Sequence, residues 1–222
     1  MGRPVRNLLS RDIIAGAALA VVDENGPGGL TMRALAERLG VKAASLYNHV
    51  GSKDDLLDAL AELVNAEIDH APLERRAGES ADDWREAVAR YARGYRQVFL
   101  RHPNTIALLA RRRVEATRQL LGYDKLLGAL VAAGLAPADA AEAAAALDYL
   151  VLGSALETFT EGFARPAADY RPHYPALAGA LEASAERGGG PGGLDERGFE
   201  LALRLLLGGL GRSGGGGAAD TP

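Results

Sequence analysis

The 222-residue sequence has no cysteine, which excludes disulfides, thiolate metal centres and thiol nucleophiles and fits a reducing compartment. Aromatic residues are scarce, at 5% of a chain that is 48% hydrophobic. The apolar content lies in Ala and Leu runs with few β-branched clusters, so an all-α fold is expected. No uncharged apolar run reaches the roughly 18 residues that suggest a membrane span, and the opening MGRPVRNLLSRD has no secretory apolar stretch. The expectation is a soluble, cytoplasmic protein without membrane contact. No phosphate loop, metal-ligand spacing or hint of a Ser–His–Asp triad is present, and the four histidines are scattered. No catalytic residue, metal site or cofactor is therefore assigned, and the chain is read as a non-enzyme.

The net charge of −4 is unevenly distributed. Up to Lys53 there are seven Arg or Lys residues against four Asp or Glu, a net of +3, which leaves −7 for the remainder. A basic module on an acidic body points to phosphate contact by one end only. Within that end, TMRALAERLGVKAASLYNHVGSK, from Thr31 to Lys53, reads as two short helices and a tight turn. Met32, Leu35, Ala36 and Leu39 recur at helical steps, Thr31 is the expected N-cap, and Gly40 suits a left-handed stop. The second helix, expected over residues 42–49, surrounds one apolar anchor, Leu46, with Lys42, Ala43, Ala44, Ser45, Tyr47, Asn48 and His49. Small and polar residues outward on a short helix suit the DNA major groove.

Along the rest of the chain, residues 1–9 form a basic arm with Arg3 and Arg6. Ser10 caps a helix of about 15 residues whose predicted apolar stripe is Ile13, Ile14, Ala17, Ala18, Val21 and Val22. A fourth helix runs from Lys53 to about Asp69. Ser80 is expected to cap a helix over 81–101 with Trp84, Val88, Tyr91, Tyr95, Val98 and Phe99 on one face. Helices are also predicted over 104–110, 114–134, 137–163, 175–187 and 195–210. Small residues along Ala141, Ala145, Leu152 and Ala155, and leucines nearly all round the last helix, predict a homodimer through the C-terminal helices. The GGGPGG segment is expected to lack fixed structure. The division expected is a DNA-binding module over 1–53, a linking helix over 54–71, a ligand-binding and dimerisation body over 72–211 and a disordered tail over 212–222.

The run GLTMRALAERLGVKAASLYNHVGSKDDLLDAL resembles the DNA-binding domain of the tetracycline repressor (TetR) family, and the body segments PLE, DDW and LDYLVLGSALE resemble its tetracycline-repressor subgroup. The resemblance implies a homodimer on double-stranded operator DNA, with one recognition helix in each half-site of a palindrome and release by a small-molecule effector. Carried over by position, Arg33 and Tyr47 look like base or thymine-methyl contacts, and Ser45, His49 and Lys53 like phosphate contacts. Ala43 and Ala44 depart from the glutamine-proline pair of the tetracycline repressors, which implies thinner direct readout. In the body, Leu109 stands where those repressors place the histidine that holds drug-chelated magnesium, and Tyr91 where they place an asparagine that orients the drug. Arg113 and Glu157 match positions near the ligand. The implied effector is thus a flat or hydrophobic molecule, not a magnesium-tetracycline complex, in an aromatic-lined pocket drawing on Tyr91, Tyr95, His102, Leu109, Arg113 and Glu157. The alternative is a small-molecule-binding or enzymatic helical protein whose N-terminal hairpin is merely structural.

Overall fold

The computed structural model describes residues 9–74, 84–110, 112–156, 159–163, 165–190 and 192–210, and every regular element among them is helical. Helix α1 (Arg11–Asn25) starts where the Ser10 Oγ accepts the Ile13 N–H at 3.2 Å. Its buried face is Ile14, Ala15, Ala18, Leu19, Val21 and Val22, while Ile13 is 37% exposed. The stripe is rotated from the predicted one because Leu19 and Ala15 reach the core that Ile13 was expected to fill.

Helix α2 (Met32–Leu39) is capped by the Thr31 Oγ1, which accepts the Ala34 N–H at 3.1 Å. It stops at Gly40, whose φ of +65° lets the Gly40 and Val41 N–H groups turn back onto Glu37 and Ala36 carbonyls. This double closure is the Schellman stop. Helix α3 is only Ala43–Leu46, shorter than the predicted 42–49. Lys42 is its extended N-cap, and residues 47–49 form a turn in which the His49 and Val50 N–H groups both donate to the Leu46 carbonyl. With Leu46 its single apolar anchor, further helix after Leu46 would have nothing to bury until Val50, itself fully enclosed.

Helix α4 (Lys53–Ala66) is capped by Ser52, with the Asp55 N–H donating to its hydroxyl at 3.0 Å. It packs on α1 to one side, and on α6 (Pro103–Leu109) and α7 (Thr117–Ala132) to the other. The helix ends three residues short of the predicted Asp69, yet Ile68 stays buried in the following turn. Helix α5 (Trp84–Arg101) buries Val88, Tyr91, Tyr95, Val98 and Phe99. The predicted Ser80 cap and residues 81–83 lie outside the described residues. The N-terminus of α7 falls at Thr117 instead of Val114, since Ala116 has an extended backbone.

Helix α8 (Pro137–Leu156) ends before the predicted Phe163, which instead sits after a 3-10 turn and packs edge-on against Phe159 and Tyr170. Two short elements, α9 (Ala167–Tyr170) and α10 (Pro175–Glu186), lead to α11 (Gly193–Gly209). Between them Gly188, Gly189 and Gly190 all have positive φ. This corrects the expectation of an unstructured link: Arg197 donates to the Gly188 carbonyl at 2.6 Å and to the Ser184 carbonyl at 3.0 Å, fixing the turn. One hydrophobic core runs from α1 through α4 and α5 to α8 and α11. The predicted arm and tail, with Arg3 and Arg6, lie outside the described residues.

Candidate functional site

The N-terminal module is built around Leu35, Leu46 and Val50, all enclosed. Anchoring α3 by Leu46 alone turns Lys42, Ala43, Ala44, Asn48 and His49 to solvent, with Ser45 half-buried and Tyr47 52% exposed. Lys53 is exposed at the first residue of α4. Arg33 projects from the start of α2, its Nε donating to Glu37 at 2.9 Å. The structure thus brings every predicted DNA-contact residue to one small module with its polar groups outward.

The basic charge of that module is largely internal. Arg11 pairs with Asp55 at 2.6 Å, Arg38 with Glu24 at 2.6 and 2.9 Å, and Arg33 with Glu37. The Gly51 N–H, and then Arg11, hold the Asp55 carboxyl below the usual carboxylate range. Among the described basic residues up to Lys53, Lys42 and Lys53 have no carboxylate partner, so these two remain available to phosphates.

In the body, two adjoining chambers lie between α4, α5, α7 and α8. The outer one, with a cavity volume of about 40 Å³ and partly open to solvent, is lined by Asp58, Ala61, Asn65, Tyr95, Phe99, Ile106, Leu109, Arg112, Arg113, Gln119 and Leu152 among others. The inner one, with a cavity volume of about 20 Å³, shares Asn65, Tyr95 and Gln119 with it and adds Ile68, His70, Tyr91, Tyr123, Leu147 and Asp148. Burial pushes the Asp148 carboxyl up, against the hydroxyls of Tyr95 and Tyr123, which donate to it at 2.7 and 3.2 Å. Burial, then the Asp148 charge, raises the phenols of Tyr91 and Tyr95 and pushes Tyr123 up to about 12. These phenols are donors at neutral pH.

Of the predicted ligand residues, Tyr95, Leu109 and Arg113 line the outer chamber and Tyr91 the inner one. Leu109 presents to the outer chamber an alkyl chain, which cannot ligate a metal. His102 stands apart from the others. It lines neither chamber but stands at the junction of α1, α4 and α6, its Nδ1 2.8 Å from Asp23 and its Nε2 3.3 Å from Glu67. The helix break at Pro103 carries it out of register with the Tyr91–Tyr95 face. Glu157 lies outside the described residues.

Sequence reasoning missed Arg112, Asp58, Asn65, Gln119, His70, Tyr123 and Asp148. Arg112 donates from its Nη1 to Asp54 at 2.8 Å and from its Nη2 to Asp58 at 2.6 Å, tying the loop before α7 to α4. A carboxylate among the alanines and leucines of α8 was the available signal for Asp148.

The proposed seam also changes. Ala155 is buried and Leu152 faces the outer chamber, leaving Ala141 exposed and Ala145 half-buried. The apolar surface lies instead on Tyr149 (76% exposed) and Leu156 of α8 and on Leu201 and Leu205 (66%) of the adjacent α11. The last helix is therefore two-faced, burying Phe199, Leu203 and Leu207 opposite those leucines.

Residues 14–60 match the family described as bacterial regulatory proteins, tetR family, and residues 77–213 the tetracyclin repressor-like C-terminal domain. The chain belongs to the TetR family. It is 34% identical over 206 residues to the class A tetracycline repressor protein of transposon 1721 from Escherichia coli, covering 91% of this chain and 90% of that one. An HTH-type transcriptional regulator of Saccharopolyspora erythraea is 37% identical over 147 residues, 66% of this chain, and the match spans only 60% of that relative. The Streptomyces coelicolor TetR-family protein ActR, solved in complex with actinorhodin, superposes with a TM-score of 0.70 at 28% identity, covering 93% of this chain and 99% of that one. A TetR-family regulator accounts for both halves of the geometry: a helix-turn-helix with its polar face outward and a helical body around a cavity. No described helix is long and apolar enough to cross a membrane.

Proposed function

We propose that this TetR-family chain is a transcriptional repressor that binds a palindromic operator as a homodimer and is released when a small hydrophobic or aromatic molecule fills the chambers of the body. It acts by binding, not by catalysis. Residues 1–53 serve as the reading head, 54–71 as the linking helix and 72–211 as the effector-binding and dimerisation body. Arg33 and Tyr47 face base edges, with Ala43 and Ala44 offering only methyl groups, while Lys42, Ser45, Asn48, His49 and Lys53 face the backbone. The protomers join through the exposed apolar faces of α8 and α11, which two copies related by a twofold axis would cover together.

The observation that carries this reading is the position of α4. Its first residue, Lys53, is exposed on the reading head, while Asp58, Ala61 and Asn65 line the outer chamber and Arg112 clamps Asp54 and Asp58 from the chamber's rim. A ligand that favours one pose of α4 changes the separation of two recognition helices, which must stay about one DNA turn apart to read both half-sites. ActR's complex with actinorhodin supports a small-molecule effector in a body of this fold.

The test is selection of bound duplexes from a random pool, followed by a screen of aromatic compounds for release. A palindromic consensus, bound by a dimer with steep salt dependence, is expected. Recovery of no sequence preference, with a flat salt response, would leave the hairpin a structural element and sink the repressor reading.

A further inference from the structure

Asp148 is a carboxylate on α8 that faces the inner chamber. Its Oδ1 and Oδ2 each accept one phenolic hydrogen bond, from Tyr95 and Tyr123, which leaves acceptor capacity on both oxygens. Among the described residues no cationic side chain offsets its charge. The histidine of the chamber, His70, does not serve: burial, then the nearby Lys125, pushes its imidazole down, toward the neutral form. A desolvated carboxylate without a counter-ion is costly and calls for a cation or a proton.

The walls around it suit a cation. Tyr91, Tyr95 and Tyr123 all line the chamber, with the Tyr91 and Tyr95 ring centroids 5.9 Å apart and His70 stacked on Tyr91 at 5.9 Å. Aromatic faces attract an ammonium electrostatically, most strongly where water is excluded. With a cavity volume of about 20 Å³ the chamber has room for a water-sized head group such as an ammonium, and across the shared Asn65, Tyr95 and Gln119 it adjoins the larger chamber of Phe99, Ile106, Leu109 and Leu152.

From this geometry we infer that the effector carries a basic amine: its ammonium sits in the inner chamber against the Asp148 carboxylate and the tyrosine rings, and its flat apolar body fills the outer chamber. The inference rests on the reading of the two chambers as the effector site. It assigns Asp148 as the residue that selects a cationic ligand over a neutral one of the same shape.

The experiment compares naphthylmethylamine with naphthalenemethanol, a neutral analogue of near-equal size, titrated by their fluorescence into the full-length dimer and into Asp148→Asn. The amine is expected to bind the unmodified protein roughly tenfold or more tightly than the alcohol, and Asp148→Asn to remove that preference while shifting the alcohol by no more than about twofold. Equal binding of both probes to the unmodified protein overturns the inference and leaves the chambers standing as the effector site. A preference for the amine that survives unchanged in Asp148→Asn overturns the assignment of Asp148. Binding of neither probe overturns the effector-site reading together with the inference. The comparison within the unmodified protein holds even if Asp148→Asn does not fold.

Discussion

Removing Lys53 tests how the reading head holds DNA. Of the five described basic side chains between Arg11 and Lys53, three are tied to carboxylates, and Lys42 and Lys53 are not. Each phosphate contact neutralised by a protein cation contributes about 0.9 to the slope of log affinity against log salt. A dimer carries two copies of Lys53, so Lys53→Ala should lower the slope by about 1.8, and the ratio of unmodified to variant affinity should shrink about twelvefold over a fourfold rise in salt. The fold should tolerate the change, because Lys53 is exposed at the positive end of α4, where a cation is unfavourable and alanine is a good helix former. The control is Glu24→Ala combined with Arg38→Ala, which deletes a bidentate pair of no net charge and should leave the slope where it was. The assay is fluorescence anisotropy on the selected duplex across a salt series. An unchanged slope in Lys53→Ala, or an equal fall in the paired deletion, would refute the division between phosphate-facing and internally satisfied charge.

What could be read from the sequence was whatever is decided within a helical turn or two. Ser10, Thr31 and Gly40 act on groups three to four residues away, and each does what local chemistry predicts. The family resemblance supplied the reading head for the same reason, since its motif is one contiguous run. The contacts of Arg112 and His102 were not legible because their partners lie far off: Asp58 is 54 positions from Arg112, and Asp23 is 79 from His102. No periodicity encodes such pairs. Helix α8 failed differently, because alanine and leucine occupy nearly every side and no face stands out. Only packing against α5, α7 and α11 decided that Ala155 and Leu152 turn inward while Tyr149 and Leu156 turn out. The end of α3 was lost to a competition sequence patterns describe poorly, between one more turn of helix and the burial of Val50.

Two further predictions concern the fold. Gly40→Ala places a methyl group in open space but at φ +65°, so its cost is backbone strain alone, about 1 kcal/mol; urea unfolding should show that loss, whereas Gly51→Ala, equally open and without positive φ, should not. The second prediction sets Asp148 against Asp55, whose pKa values move in opposite directions on folding. Asp148 is raised by burial, so the folded protein holds that proton to a higher pH than the unfolded chain does. Its favourable contribution is complete below the unfolded value and is lost as pH rises through the folded one. Asp55 is lowered by the Gly51 N–H and Arg11, so its contribution is present above the unfolded value and is lost as pH falls through the folded one. In thermal melts from about pH 4 to 8, the Tm of Asp148→Asn relative to the unmodified protein should therefore climb with pH, while that of Asp55→Asn should fall over the acidic part of the range. A flat Asp148→Asn difference would mean that the carboxylate is already neutralised within the fold. That result would remove the unbalanced charge from the inner chamber and, with it, the reason for an amine to enter.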